Sequence, residues 1–393
     1  MKRTIALIFA ACAATAANGE EIKLGVLLGF TGPIESLTPP MAWGAEQAIQ
    51  EVSESGALLG GSTVTAVRGD STCIDAAAAT AAAERLVTSD KVSAIVGADC
   101  SGVTSAVLQN VARPNGIVMI SPSATSPSLS TDDDDGLFFR TAPSDARQGQ
   151  IMSDIIISRG IESVAVTYTN NDYGKGLADS FGAAYQAAGG AITIVSSHED
   201  GKADYSAEIG ALAAAGGEAL VTIGYLDQGG RGIIQSALDT GAFDIFVLPD
   251  GMIGDSLIET FGDALDGSFG QHPGTDSNGA EIFADIASQQ DFNGSGPFVG
   301  ESYDAAALIL LAMQSAGSSK SGDLKDHVFK VANAPGEMIQ PGELGKALAI
   351  IANGGDVDYV GASDVELTGP GEAAGNYREF EIDNGQITTV TYR

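Results

Sequence analysis

Short apolar runs recur along this chain. Each is broken by Gly, Ser, Asp or Asn and followed by a stretch whose apolar residues share one helical face. The run Ile117–Ile120 is typical. It ends in Ser121-Pro122-Ser123-Ala124-Thr125, which predicts a buried strand opening into a hydroxyl-rich loop. Ile22–Gly29, Thr63–Val67 and Val92–Val96 read as strands of the same kind. Between them, Ala45, Ala48, Ile49 and Val52 fall on one helical face, Ala76–Val87 predicts a helix by propensity, and Val103–Val111 predicts another. The pattern starts again beyond Pro143. Strands Val164–Tyr168, Ile192–Val195, Ala219–Ile223 and Ile245–Leu248 alternate with helices from about Lys175, over Tyr205–Ala215 and over Gly230–Leu238.

Strands that alternate with helices call for parallel sheets covered on both faces. Two such runs predict an α/β chain with two doubly wound lobes. From Gly279 the character shifts to helices, notably Tyr303–Ala316 and Leu324–Ala332. The segment Tyr359–Arg393 returns to short strands, with a hairpin signal at Asp383-Asn384-Gly385.

The first residues stand outside this pattern. Lys2 and Arg3 precede an apolar run, Ile5–Ala14, and then small residues, which is the form of a secretory signal peptide over residues 1–17, cleaved near Ala16 or Ala17. The run is too short to span a bilayer, and no later stretch reaches that length. Export changes the reading of the cysteines. With Cys12 inside the signal segment, Cys73 and Cys100 remain, an even count that suggests a disulfide in an oxidising compartment. The three histidines show no ligand spacing with either cysteine, so no metal site is expected. The net charge of −32, which becomes −34 without Lys2 and Arg3, argues against nucleic acid and anionic membranes as partners. The run Asp132–Asp135 reads as a solvated loop.

Catalytic signatures are missing. No HExxH, GxSxG, Walker A or CxxC motif occurs in the sequence. Gly174-Lys175-Gly176 opens like a dinucleotide loop, but Asp179 stands at the place of its third glycine. The strand ends offer binding chemistry instead. Ser101 follows one strand at a helix start, where free N–H groups favour anions. Ser123, Ala124 and Thr125 follow the next strand, so both sets can face one carboxylate. In the second half Asp250 ends a strand and can pair with an ammonium group, while Tyr173 and Tyr225 can wall a cleft. Acceptors for a cation on one lobe and donors for an anion on the other are what an α-amino acid requires.

The segments IKLGVLLGFTGP, GADCSGVTSAV, ISPSATSPSL, NDYGKGLADSF, IGYLDQGG and LPDG occur in this order. In them the chain resembles the substrate-binding proteins of branched-chain amino acid ABC transporters, over nearly its whole length from Ile22. The resemblance implies a type I periplasmic binding fold, with two lobes joined by a multi-strand hinge. One lobe would comprise 21–142 and 271–366, the other 143–270 and 367–393. It implies a disulfide between Cys73 and Cys100. Ser101, Ser123, Ala124 and Thr125 look like the carboxylate-binding set. Tyr225 and Asp250 look like the ammonium-binding set, Asp250 standing where relatives carry Glu. Tyr173 and Leu37 look like cleft-lining positions, and Gly300 falls where a bulky residue can close the pocket.

The expectation is a monomeric, non-enzymatic solute-binding protein of the periplasm, without cofactor. It would capture an amino acid and deliver it to a permease. The alternatives are the same fold around an aromatic acid, amide or urea-like compound, and a ligand-sensing lobe for a signalling partner.

Overall fold

The computed structural model describes residues 19–393. The expected signal segment lies outside the described residues. Five parallel strands form the first sheet: β1 (Glu21–Leu28), β2 (Thr63–Asp70), β3 (Ala94–Gly97), β4 (Met119–Ser121) and β5 (Phe138–Arg140), in the order β2-β1-β3-β4-β5. The second sheet starts with β6 (Ser163–Thr169), β7 (Ala191–His198), β8 (Ala219–Ile223), β9 (Phe246–Leu248) and β10 (Phe269–Pro273). A small pair, β11 (Glu337–Ile339) and β12 (Val357–Tyr359), lies apart. The hairpin β13 (Tyr377–Asp383) and β14 (Gln386–Tyr392) then joins the second sheet, whose order is β14-β13-β10-β9-β8-β6-β7. The hairpin strands are antiparallel and the others parallel.

The burial pattern explains the architecture. β3 and β8 are buried at every residue, as strands covered by helices on both faces must be. β7, at a sheet edge, alternates exposed and half-buried positions. Ala45, Ala48, Ile49 and Val52 are all buried on the helix Thr38–Ser55, whose main partner is the helix Val299–Ala316. That second helix is buried continuously from Val299 to Met313, so it acts as the core of its lobe. Helix starts follow capping chemistry. Asp75 accepts from the N–H groups of Ala77 and Ala78, and Asn171 accepts from Gly174, which sets the helix start at Asp172 rather than Lys175. Asn384 and Gly385 both take positive φ, the requirement of the tight turn between β13 and β14.

The chain crosses between the two sheets three times. Thr141–Ser144 follow β5, residues 274–277 follow β10, and residues 374–376 precede β13. β10 keeps residues 271–273 with the second sheet, where the sequence placed them in the first lobe. Residues 367–373 stay with the first lobe, because Glu372 bridges to Arg140 and Leu367 to Asn333. Both boundaries therefore move a few residues along the chain.

In each sheet the strand order reverses direction once. In the first the reversal lies between β1 and β3, in the second between β6 and β8. Such switch points leave a crevice beyond the carboxyl ends of the strands, where α/β sheets bind ligands. The two crevices face each other.

Candidate ligand-binding site

A buried cavity occupies the space between the two switch points. The first lobe contributes polar residues Asp99, Ser101 and Ser123 and an apolar wall of Ile34, Leu37, Met41 and Phe298. The second contributes Tyr173, Tyr225 and Asp250. Each comes from the end of a strand or the loop beyond it: Asp99 and Ser101 after β3, Ser123 after β4, Tyr173 after β6, Tyr225 after β8, Asp250 after β9. Asp250 and Ser101 are only 2 % exposed, so polar groups of an occupant here must be met by protein partners.

The first-lobe loop is tightly wired. Ser121 Oγ accepts the N–H of Ala124 at 2.9 Å, and Ser101 Oγ accepts the N–H of Ser126 at 3.0 Å. Ser123 Oγ donates to the carbonyl of Asp99 at 3.0 Å. Ala124 and Thr125 lie behind the lining rather than on it, both essentially buried. The carboxylate of Asp99 faces away from an occupant's role, since it accepts from the Gly29 N–H at 2.5 Å and from Ser71 Oγ at 2.7 Å.

The second-lobe side is organised around Asp250. Tyr173 donates its hydroxyl to Asp250 Oδ1 at 2.6 Å, and its ring stacks on Tyr225 with centroids 5.3 Å apart. Burial pushes the Asp250 carboxyl above its ordinary range. Asp145, which the sequence reading passed over, is wholly buried nearby, and burial and then the Asp250 charge push its carboxyl well up. The Thr125 hydroxyl faces the Asp145 carboxyl and the Gln148 amide faces Asp250, but neither pair reaches full hydrogen-bond geometry among the described residues. Among the described residues, no arginine, lysine or histidine lines this cavity.

The cleft is latched across its mouth. Asp227 of the second lobe donates its N–H to the carbonyl of Pro33 at 2.9 Å and accepts the Ser36 N–H on Oδ2 at 2.8 Å. The structure is therefore a closed form.

Of the sequence candidates, Leu37, Ser101, Ser123, Tyr173, Tyr225 and Asp250 come together on one cavity. Cys73 and Cys100 form the disulfide, and Cys100 also lines the cavity. Gly300 does not open the pocket: a Cβ there would point at Ala362, 3.3 Å away. Phe298, two residues earlier, closes it instead. Its backbone is left-handed at φ 61°, an unusual state for a bulky residue and one that recurs at ligand clamps. The acidic run is spent on local contacts: Asp132 accepts from Ser105, Asp134 from the Gly136 N–H, and Asp135 pairs with Arg113.

A family model described as periplasmic binding protein matches residues 21–331. The chain belongs to the periplasmic binding protein family. The chain is 29% identical over 322 residues to the leucine-, isoleucine-, valine-, threonine-, and alanine-binding protein of Pseudomonas aeruginosa, covering 80% of this chain and 83% of that one. Its fold matches the branched-chain amino acid transporter substrate binding protein LivJ from Streptococcus pneumoniae, solved with isoleucine, at a TM-score of 0.77 and 23% identity, covering 94% and 99% of the two chains. It also matches a solute binding protein of an ABC transporter from R. palustris, solved with benzoate, at a TM-score of 0.75 and 18% identity over 95% and 96%. These likenesses establish the type I fold of this binding protein, two parallel-sheet lobes around a cleft. No helix among the described residues is long and apolar enough to cross a membrane.

Proposed function

We propose that this binding protein captures an α-amino acid, branched-chain or related, between its lobes. It then hands the ligand unchanged, from the periplasm and as a monomer, to the permease of an ABC transporter. One observation carries the reading: a cavity between the lobes with hydroxyl-bearing residues Ser101 and Ser123 on one lobe, the Asp250 carboxylate on the other and an apolar wall beside them. The carboxylate end of the ligand would meet Ser101 and Ser123, with the Thr125 peptide behind them. Its ammonium would meet Asp250, whose buried charge needs a partner. The side chain would lie against Ile34, Leu37, Met41 and Phe298. The named specificities of relatives near 30% identity support the same class of ligand.

A benzoate-type ligand brings a carboxylate and no cation. Here it would meet no cationic side chain and would leave Asp250 unpaired, so the amino-acid reading is preferred. A thermal-shift screen of the mature protein against the amino acids, benzoates, amides and ureas tests it. A ligand at roughly 100 times its Kd adds about 2.7 kcal/mol of stability. Hits among α-amino acids are expected. Hits confined to molecules without an ammonium group would overturn the ligand class while leaving the fold untouched.

A further inference from the structure

Arg140 ends β5 with its side chain 1 % exposed, which is rare for a guanidinium and has to be explained by its partners. Nη1 donates to two carbonyls, Ala124 at 3.0 Å and Ser126 at 2.9 Å. These flank Thr125 on both sides. Nη2 donates to Ser130 Oγ at 2.7 Å and to Glu372 Oε2 at 2.5 Å. The backbone of Arg140 is paired as well, its N–H with the Gly371 carbonyl and its carbonyl with the Ala373 N–H. The side chain thus ties the Ser123–Ser126 loop to the segment that leads into the third interlobe crossing.

The consequence for that loop follows by accounting. The carbonyls of Ala124 and Ser126 are taken by Arg140. Their N–H groups are taken by Ser121 Oγ and Ser101 Oγ. The Thr125 carbonyl is taken by the Asp145 N–H at 2.8 Å. The Ser123 hydroxyl is taken by the Asp99 carbonyl. What remains without a partner among the described residues is the Thr125 N–H, on the peptide that Arg140 brackets, while the Thr125 hydroxyl faces the Asp145 carboxyl. Arg140 is also the cation whose charge reaches Asp145.

We infer that Arg140 is a positioning residue for the acidic end of the ligand: by clamping the carbonyls on either side of Thr125 it fixes the loop that carries Ser123 on the cavity lining, with a buried positive charge behind it. The inference rests on the amino-acid reading above. A guanidinium is suited to this because its donors form a rigid planar fork. Lysine at the same place keeps the charge but cannot bridge two carbonyls and a carboxylate in one plane.

The test compares Arg140→Lys with wild type by calorimetric titration of two probes: the α-amino acid that wild type binds most tightly, and its α-carboxamide, which keeps the ammonium but has lost the carboxylate charge. The expected result is roughly a tenfold or larger loss for the acid and less than about threefold for the amide, because hydrogen bonds to a charged group are the stronger ones. Equal losses for both probes would mean a merely structural role and would overturn the inference, as would no loss at all. If Arg140→Lys does not fold, Glu372→Gln takes its place. It loosens the anchor and leaves the carbonyl clamp, so a smaller loss for the acid alone is expected, and equal losses for both probes would again overturn the inference. If wild type binds no α-amino acid, the amino-acid reading fails separately. Amide hydrogen exchange over Ser123–Ser126 then decides the clamp: faster exchange in the variant supports it, and unchanged exchange overturns it.

Discussion

The hydroxyl of Tyr173 donates to Asp250 Oδ1 at 2.6 Å, so the one carboxylate that the second lobe turns into the cavity is held by a neighbour and aimed. The tyrosine fixes one of its oxygens, and the Gln148 amide and the Gly251 N–H face the same carboxyl. Asp250→Asn keeps the shape and removes the charge. Losing one partner of a buried charge pair costs about 3 kcal/mol, roughly a hundredfold in Kd for an ammonium-bearing ligand. Tyr173→Phe removes only the aiming bond, and its effect should be near 1 kcal/mol. Titration calorimetry separates the two. Equal affinities in wild type and Asp250→Asn would remove Asp250 from the ammonium site.

The same carboxylate shares its surroundings with Asp145, and the pair predicts how stability follows pH. Both carboxyls are held above the ordinary range, by burial first and, for Asp145, by the Asp250 charge second. The folded protein therefore keeps protons that the unfolded chain releases. The stability carried by these groups is present in full below the unfolded carboxylate value near about 4, and it is lost as pH rises through the raised folded values. Asp304, pushed up to about 6, and Glu301, pushed up to about 8, act in the same direction. Asp145→Asn removes one contributor, so between about pH 5 and about pH 8 its melting temperature should fall less than that of wild type. Identical slopes in the two proteins would show that Asp145 does not titrate in this window.

Closure has its own handle in Asp227. Its carboxylate accepts the Ser36 N–H across the cleft on one oxygen and pairs with Arg231 at 3.0 Å on the other. Asp227→Ala removes a charge-assisted bond made only when the lobes are closed. The closed form should lose about 1.5 kcal/mol, roughly tenfold in affinity, with most of the change in the off-rate. Small-angle scattering of the ligand-free variant should show a larger radius of gyration. A wild-type radius together with a wild-type off-rate would show that the Asp227 contacts do not hold the cleft shut.

Which parts of this were legible in the sequence follows from what each residue depends on. Ser101, Ser123, Tyr173, Tyr225 and Asp250 stand just beyond apolar runs, and in a parallel sheet the ends of such runs lie on one side. Local pattern alone therefore carries them to the cleft. Met41, Ile34 and Phe298 carry no such signal. Met41 sits on a helix whose apolar face reads as core, and Phe298 arrives through a Gly- and Pro-containing segment with a left-handed backbone that no periodicity announces. Asp145 reads locally as an acidic residue in the first turn of a helix, an ordinary place for it. That its oxygens are buried beside Asp250 is a matter of how the first crossing brings one lobe against the other. Arg140 and Glu372 are far apart in the chain, and only the return of residues 367–373 to the edge beside β5 makes them neighbours.

The disulfide joins the stability of the first lobe to the geometry of the site. Cys100 lines the cavity and stands directly before Ser101, and Cys73 holds it from the loop after β2. Thr72 and Cys73 both take positive φ, so this loop follows a path that unbridged side chains would resist. In the chain-entropy model a loop of this length contributes about 3.6 kcal/mol, an upper figure. The double variant Cys73→Ser, Cys100→Ser should therefore melt several degrees lower. It should also bind more weakly, because Ser101 would no longer be anchored from behind. The two effects are separable. A variant that melts lower yet binds with wild-type affinity would assign the bridge to stability alone, whereas a loss of affinity that persists well below the melting temperature would tie it to the placement of Ser101.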